Sequence, residues 1–528
     1  MSFRYRAKAT QAAAQSGSLG PRALGVVALA SVVIALALGL TTLGLGSDAM
    51  RLLVVGLGGV VLVAAVMSVE LAVYGLVVAG AIDGLVKGFS PGYYGLLFKD
   101  IALWLVILGW VFRGINSGRL RSLGHPVALP MALFALYCFA EVFNGTTLQL
   151  TVALAGLRTW IMWLPLAFVA YDLFTDRLQI ERFLLLIVLC AVPSSLYGAY
   201  QYNRGYSHLK DLSPNFSYVD KFAAGDSVRA MSTFSHPGMF GATMAMAALL
   251  MIGGVLFTRR GATWRAILLF AGGLCVLGMA ASGGRTPVFG LAAAALVMMV
   301  MLRGARAVPV FVAASLVSVF VVGHLLSSSD RLRISHVPVD RESVVGRVSA
   351  PFYAGLAQAL DRPFGSGVAT GIGVGRGAAL VGGDVNISSE ANSWVENEYG
   401  RVLKELGVPG FILYCWLIAS CLKWCWHSFR HLRLPGYRGW GAALFATIIS
   451  GLVMQASGST LYQAPSGPIF WICCGMLLKL SQIEANERLA DTAYGVQAAR
   501  LASAGSTPAG GPPAAGTSDP ALQPQGVH

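Results

Sequence analysis

Long apolar stretches alternate with short polar loops along most of the chain, from about residue 23 to residue 481. An apolar stretch of about 17–25 residues can cross the hydrocarbon core of a bilayer as one helix. Because lipid leaves the backbone no water to bond, the pattern predicts an all-α polytopic integral membrane protein with about 12–14 transmembrane helices. The candidate spans are 23–46, 51–69, 71–86, 97–112, 125–143, 150–173, 183–202, 231–257, 265–282, 286–302, 307–326, 408–425, 438–457 and 465–481.

Basic residues in the short loops fix the expected orientation. Cytoplasmic loops carry the excess of lysine and arginine, so strongly basic loops without acidic residues are expected inside. With the N-terminus inside and 51–86 split into two spans, all four such loops lie in the cytoplasm. Merging 51–86 into one span would place all four outside, so the split is kept. The loops carry Arg113, Arg119 and Arg121; Arg259, Arg260 and Arg265; Arg303 and Arg306; and Lys423, Arg430, Arg433 and Arg438.

This orientation divides the chain into five regions. A basic cytoplasmic arm, 1–22, precedes the transmembrane region 23–326. One large periplasmic loop containing short helices, 327–407, is followed by the C-terminal transmembrane helices 408–481. A charged helix to about Arg500 and an Ala/Gly/Pro/Ser/Thr tail complete the cytoplasmic segment 482–528, whose composition predicts that it is largely disordered.

Composition narrows the class of protein further. Hydrophobic residues make up 56% of the 528 residues and charged residues 12%, against roughly 25% charged in soluble domains. The formal charge of +14 lies in loops between spans, which argues against nucleic acid as a partner. The eight cysteines lie in or beside apolar stretches without metal-site spacing, so neither a metal site nor a disulfide framework is predicted.

The periplasmic loop holds most of the polar chemistry. It ends in a predicted helix, 393–406, that Gly407 and Pro409 terminate. On charge alone, its polar side is best interpreted as a solvated face with Glu398 near Arg401. The Gly-rich run 365–377 predicts a flexible loop that lets backbone approach a ligand, rather than a nucleotide site. The polar residues of the helix are Glu396, Asn397, Glu398, Arg401, Lys404 and Glu405.

Three arginines at the outer ends of spans suggest an anionic ligand. Arg229 and Arg285 lie at two span mouths, and Arg158 lies in the outer part of span 150–173. An arginine facing lipid there is costly, although snorkelling to headgroups is the alternative. Guanidinium groups bind phosphate oxygens through paired hydrogen bonds, so a lipid pyrophosphate is the obvious candidate. Glu396 and, ranked lower, His336 are candidate general bases.

Three motifs in this order and topology resemble the O-antigen ligase and polymerase superfamily. They are Arg229-Ala-Met-Ser-Thr-Phe-Ser-His-Pro237, Ser282-Gly-Gly-Arg285, and Glu396-Asn-Glu-Tyr with Glu405-Leu-Gly-Val-Pro-Gly410. The resemblance covers roughly residues 50–480. It implies a GT-C-like fold and glycan transfer from an undecaprenyl-pyrophosphate carrier at the periplasmic face of the bacterial inner membrane. It implies no cofactor, metal or nucleotide sugar.

The resemblance also assigns roles to residues. It gives Arg229 and Arg285 to the pyrophosphate. Apart from the resemblance, Arg158, Asn397, Glu398 and Arg401 are further candidate substrate-binding residues. The resemblance places Glu396 where family ligases usually carry histidine, which favours polymerisation of exopolysaccharide or O-antigen repeat units. A ligase that joins glycan to lipid A core or protein, and a transporter of an anionic lipid or solute, are the alternatives. Other polysaccharide assembly proteins are possible partners.

Overall fold

In the part of the chain that it describes, the computed structural model contains helices and one hairpin of two-residue strands. Contacts divide the chain into two units, Met1–Ile483 and Glu484–His528. The second unit contains the C-terminal part of the last helix. The structure describes residues 68–89, 93–117, 120–144, 150–212, 216, 219, 223–224, 227–304, 306, 309, 345–371, 395, 397–458 and 460–505.

The helices and strands of these residues are numbered in chain order. They are α1 Val69–Ala81, α2 Asp83–Phe89, α3 Tyr93–Ser117, α4 Ala128–Ala140, α5 Leu150–Ile161, α6 Pro165–Leu173, α7 Arg177–Arg204, α8 Ser207–Leu212, β1 Ala223–Ala224, β2 Ser227–Val228, α9 Pro237–Phe257, α10 Ala262–Ala281, α11 Arg285–Arg303, α12 Ala350–Asp361, α13 Glu398–Arg430, α14 Pro435–Met454 and α15 Ser466–Gly505.

Seven helical stretches in the described part of the chain are long and apolar enough to cross a membrane. The bent pair α1–α2 would make an eighth. Helices α3 and α14, with 25 and 20 residues, cover two further predicted spans. The predicted spans 23–46, 51–69 and 307–326 lie outside the described residues, or almost entirely so. The prediction of an all-α multi-pass membrane protein is confirmed at this level, and the full span number stays a prediction.

Helix α9 forms the centre of the bundle and packs against α7, α10, α11 and α14. Its glycines allow these neighbours to approach. Gly253 lies against Ala443 and Trp440 of α14, and Gly254 lies against Leu184 of α7. Small residues are how membrane helices gain close packing, because lipid supplies no hydrophobic driving force between them. The central position of α9 fixes the turn that precedes it, which matters for the candidate site.

The break between α1 and α2 is sharp, with a bend of 63°. One residue from another part of the chain satisfies the backbone at this break. The Thr233 carbonyl accepts hydrogen bonds from the backbone N–H groups of Gly84 (2.9 Å) and Leu85 (3.3 Å). The Thr233 hydroxyl donates to the carbonyl of Ala81 at 2.5 Å. Irregular backbone at membrane depth requires such partners, because lipid cannot replace them.

Helix α13 corrects one expectation about the periplasmic block. The helix begins at Glu398 rather than Ser393, and it is kinked at Gly407, where φ is 63° and ψ is −163°. Gly407 and Pro409 therefore interrupt the helix as predicted. The polar face before the kink is not solvated, however: Glu398, Arg401 and Glu405 are all buried. The i,i+3 pairing of Glu398 with Arg401 was predicted correctly, but its environment was not.

Contacts gather the polar segments at one end of the bundle. The Ala230 N–H donates to the carbonyl of Ala281 at 3.0 Å, which brings the 203–230 loop to the α10–α11 turn. The hydroxyls of Thr286 and Ser457 lie 2.6 Å apart. The N–H of Glu398 donates to the carbonyl of Gln455 at 3.0 Å. We call this end the polar end; the sequence predicts that it faces the periplasm.

Candidate anion site at the polar end

A tightly held turn, Ser232–His236, leads into α9. Ser232 has a positive φ of 54°, which is uncommon for a residue other than glycine. The buried Gln201 side chain holds this backbone: its carbonyl accepts from the N–H groups of Met231 and Ser232, and its amide donates to the Ser232 carbonyl at 3.0 Å. The Ser232 hydroxyl donates to the carbonyl of Ser194 at 2.5 Å. Strained backbone held this firmly is characteristic of functional sites.

The structure places Arg229 beside the turn that begins the helix of Arg285. The Arg229 Nε donates to the carbonyl of Ser282 at 3.3 Å. Its side chain lies over Gly283, where an added Cβ would come within 3.2 Å of the Arg229 Cγ. Gly283 also has a φ of 61°. Glycine suits this position because it leaves room for Arg229 and adopts a positive φ without strain. Arg285 is the first residue of α11 and is exposed.

Two helices also begin at this place. The second turn of α9 contacts the first turn of α11, since a Cβ on Gly241 would lie 2.9 Å from the Pro287 ring. Each helix N-terminus carries a partial positive charge, which favours anions. The site therefore combines two guanidinium groups with two helix N-termini. This arrangement is suited to phosphate oxygens.

His236 caps α9 and has a defined protonation state. Its Nδ1 accepts a hydrogen bond from the N–H of Gly238 at 2.9 Å. A neutral imidazole with an accepting Nδ1 carries its proton on Nε2. The side chain is accessible to water, yet desolvation by the surrounding protein lowers its pKa to about 4, with the positive charge of Arg229 as the second cause. His236 is therefore neutral at physiological pH, with its proton on Nε2.

The pH dependence of the free energy of unfolding should reveal the lowered pKa of His236. Its ordinary pKa is 6.5 and its folded pKa is about 4, so the unfolded chain binds more protons between these values and stability falls as pH falls. His236→Asn keeps a capping side chain but cannot titrate. We expect the thermal midpoint of the wild type to drop more than that of His236→Asn between pH 7 and pH 4. Parallel midpoints in thermal unfolding of the two purified proteins would contradict this.

A group of charges at the polar end, with two buried carboxylates, was not predicted from sequence. We call Asp83, Lys87, Lys99, Asp100 and Arg158 the ion cluster. Asp83 binds Lys87 (2.6 Å) and Lys99 (3.3 Å), and Asp100 binds Arg158 (2.6 Å). Only Arg158 gave a signal in the sequence, because an arginine within a predicted span is costly and marks function. Arg158, a predicted ligand-binding residue, is thus already paired with a carboxylate.

Arg401 lies at the centre of a buried network. Its Nη1 pairs with Glu398 at 3.1 Å and its Nε with Glu405 at 3.1 Å. Its Nη2 donates to the Thr159 hydroxyl at 2.7 Å, and its guanidinium stacks over the Trp160 ring at 4.0 Å. The side chain is 0% exposed. The guanidinium is therefore engaged within the protein, and its role as a substrate ligand stays an untested prediction.

Glu405 extends this network into the loop after α12, a connection that sequence reasoning missed. Its carboxylate accepts hydrogen bonds from the Trp160 indole (2.7 Å) and from the backbone N–H groups of Ala369 (3.3 Å) and Gly371 (2.8 Å). The start of the Gly-rich run is thus fixed to α5 and α13.

The remaining predicted site residues lie elsewhere. Asn397 is the N-cap of α13: its Oδ1 accepts from Gly400 N at 3.0 Å and its Nδ2 donates to Val348 O at 2.8 Å. These bonds fix the helix start, so its side-chain amide is used structurally. The candidate bases Glu396 and His336 lie outside the described residues. Neither a scan against protein-family models nor a search of curated proteins finds a match for this chain.

Proposed function

We propose that the chain is a membrane glycosyltransferase that uses undecaprenyl-pyrophosphate-linked glycan at the periplasmic face of the bacterial inner membrane. The observation that supports this most is the site formed by Arg229, Arg285 and the N-termini of α9 and α11. A pyrophosphate attached to a lipid would reach such a site from the membrane. The sequence resemblance to the O-antigen ligase and polymerase superfamily supports the same class of substrate.

The proposed reaction breaks the bond between the anomeric carbon of the donor glycan and the pyrophosphate oxygen. An acceptor hydroxyl forms the new glycosidic bond at that carbon, and its proton passes to a base. The pyrophosphate leaves with the bonding electrons, so negative charge grows on its oxygens. Arg229, Arg285 and the helix N-termini are placed to stabilise that charge. Glu396 is the proposed base, from its motif position alone.

We favour polymerisation of lipid-linked repeat units over ligation to lipid A core or protein. The reason is the glutamate at position 396, where ligases of the resembling family usually carry histidine. A glutamate could accept the acceptor proton equally well.

A transporter of an anionic lipid or solute is the second candidate, and two observations favour it. The α1–α2 pair is bent by 63°, and broken helices are typical of transporter binding sites. The ion cluster lies directly at this break, with Asp83 as the first residue of α2. A direct experiment must therefore distinguish glycan transfer from transport of the lipid.

The test uses the purified chain in proteoliposomes with undecaprenyl-pyrophosphate-linked repeat unit as the only glycan. A ladder of lengthened glycans with release of undecaprenyl pyrophosphate is the expected result. Product only after addition of lipid A core would identify a ligase. Movement of the lipid between leaflets without a new glycosidic bond would identify a transporter and refute the enzyme. Empty liposomes provide the background for each readout.

A further inference from the structure

The ion cluster carries one more positive than negative charge among its described members. Asp83 is shared by Lys87 and Lys99, whereas Asp100 binds Arg158 alone. Lys99 also lies within electrostatic range of two like charges, Lys87 and Arg158. Both carboxylates are almost fully buried, with side-chain exposures of 2% and 8%. The third cation therefore has no carboxylate of its own within this cluster.

The cluster also contains an unused hydrogen-bond donor. The Nε of Arg158 is buried without a hydrogen-bond partner, although its Nη2 pairs with Asp100. A buried donor without a partner and an unbalanced charge both cost free energy. A phosphoryl group would remove both costs, because its oxygens accept from guanidinium and ammonium groups together. Arg158 is 36% and Lys87 24% exposed, so the cluster is open to a ligand on this side.

The Ser232–His236 turn lies between the ion cluster and the Arg229–Arg285 site. On one side, the Ser235 hydroxyl donates to Asp83 at 3.0 Å and accepts from Lys87 at 3.2 Å. On the other side, Arg229 binds the α10–α11 turn through the carbonyl of Ser282. The two groups of cations thus lie on different elements: α2, α3 and α5 carry the ion cluster, whereas Arg229 follows β2 and Arg285 begins α11.

We propose that the ion cluster is a second phosphoryl-binding subsite, which holds the phosphate of a lipid-linked acceptor. This inference rests on the proposed function, in which the Arg229–Arg285 site holds the pyrophosphate of the donor. Both substrates of a polymerase carry a lipid phosphate, so two phosphoryl subsites separated by one turn suit that reaction. The acceptor's own phosphate keeps its bonds and serves as an anchor.

Lys99→Gln is the sharpest test, because it removes the excess charge and leaves both carboxylates paired. The probe is a short-chain polyprenyl pyrophosphate without glycan, titrated onto the purified chain in zwitterionic nanodiscs. Two bound equivalents are expected for the wild type. Lys99→Gln should weaken only one of them, by about 10-fold to 100-fold, the usual effect of losing one charge-assisted contact. In the polymerisation assay it should raise the apparent KM for the lipid-linked repeat unit.

Two controls accompany this variant. Lys99→Arg keeps the charge and should keep both equivalents, which separates binding from folding. Lys423→Gln removes an exposed cation from α13 and should change neither equivalent. If wild type makes polymer but binds a single equivalent, or if Lys99→Gln binds both as tightly as wild type, the second subsite is refuted and the proposed function stands. Absence of both polymer and probe binding would refute both.

Two further titrations identify the source of the phosphoryl group. Inorganic pyrophosphate that binds this subsite as tightly as the polyprenyl probe would assign it to a soluble anion. Loss of the second equivalent in nanodiscs containing phosphatidylglycerol would assign it to bulk lipid headgroups. Either result would overturn the acceptor assignment. Preference for the polyprenyl probe in both titrations is the result we expect.

Discussion

Replacing Arg229 or Arg285 by alanine is expected to lower polymerisation by about 10²–10³-fold, the usual effect of removing one preorganised donor from a developing negative charge. Each variant removes a guanidinium that is placed to hold the leaving pyrophosphate. Lysine at either position should restore only part of the activity, because a point charge cannot reproduce two parallel hydrogen bonds. The measurement is the initial rate of ladder formation by equal amounts of folded protein.

Arg430→Ala is the matched control for this pair. Arg430 is exposed near the end of α13, in a loop predicted to be cytoplasmic, so its loss should leave the rate unchanged. Arg229 also packs on Gly283, so thermal unfolding of Arg229→Ala must show that the fold persists. Full activity in both alanine variants would remove the main support for the pyrophosphate site. If Arg430→Ala also loses activity, the rate depends on the total positive charge of the protein rather than on this site.

Replacing Arg401 by glutamine is expected to destabilise the fold by about 3–5 kcal/mol. The substitution leaves the carboxylates of Glu398 and Glu405 in a buried environment without their shared cation. It also removes the stacking over Trp160. Thermal unfolding of the purified variant in detergent should show a large drop in midpoint, and the yield of monodisperse protein should fall.

A neutral replacement of the whole group distinguishes a structural role from a binding role. Arg401→Met combined with Glu398→Gln and Glu405→Gln removes the charges together, so much of the lost stability should return. Lys423→Gln, on the same helix but exposed, should change stability by less than about 0.5 kcal/mol. If Arg401→Gln folds as well as wild type but no longer binds the polyprenyl probe, the residue contacts substrate and the structural interpretation is wrong.

Local sequence pattern predicts the apolar helices and the interruption of α13 well, because both depend on neighbours in the chain. Gly407 and Pro409 are a helix-ending signal wherever they occur. The burial of Arg401 was beyond this reasoning, since an i,i+3 pair with Glu398 has the same spacing on a wet face or in a core. Helix α5 packs close by and brings Thr159 to the guanidinium, and this contact makes the pair buried rather than exposed.

The ion cluster illustrates a second limit of sequence reasoning. Asp83 and Lys99 are close in sequence to span ends, where charged residues are common and need no special partner. Their pairing follows from the bend between α1 and α2, which sequence pattern treats as one straight span. Arg158 meets Asp100 across 58 residues. Long-range pairing of this kind depends on helix arrangement, which a single sequence does not specify.

The Thr233 bonds at the α1–α2 break have a consequence for how the protein is made. The hydroxyl of Thr233 reaches Ala81 across 152 residues of chain. At a synthesis rate of 5–20 residues per second, the ribosome needs about 8–30 s to supply that partner. Until then the backbone groups at the bend have no Thr233 with which to form hydrogen bonds. We therefore expect α1 and α2 to enter the bilayer as one straight segment. The bend would then form late, when the segment that carries Thr233 and α9 has been made.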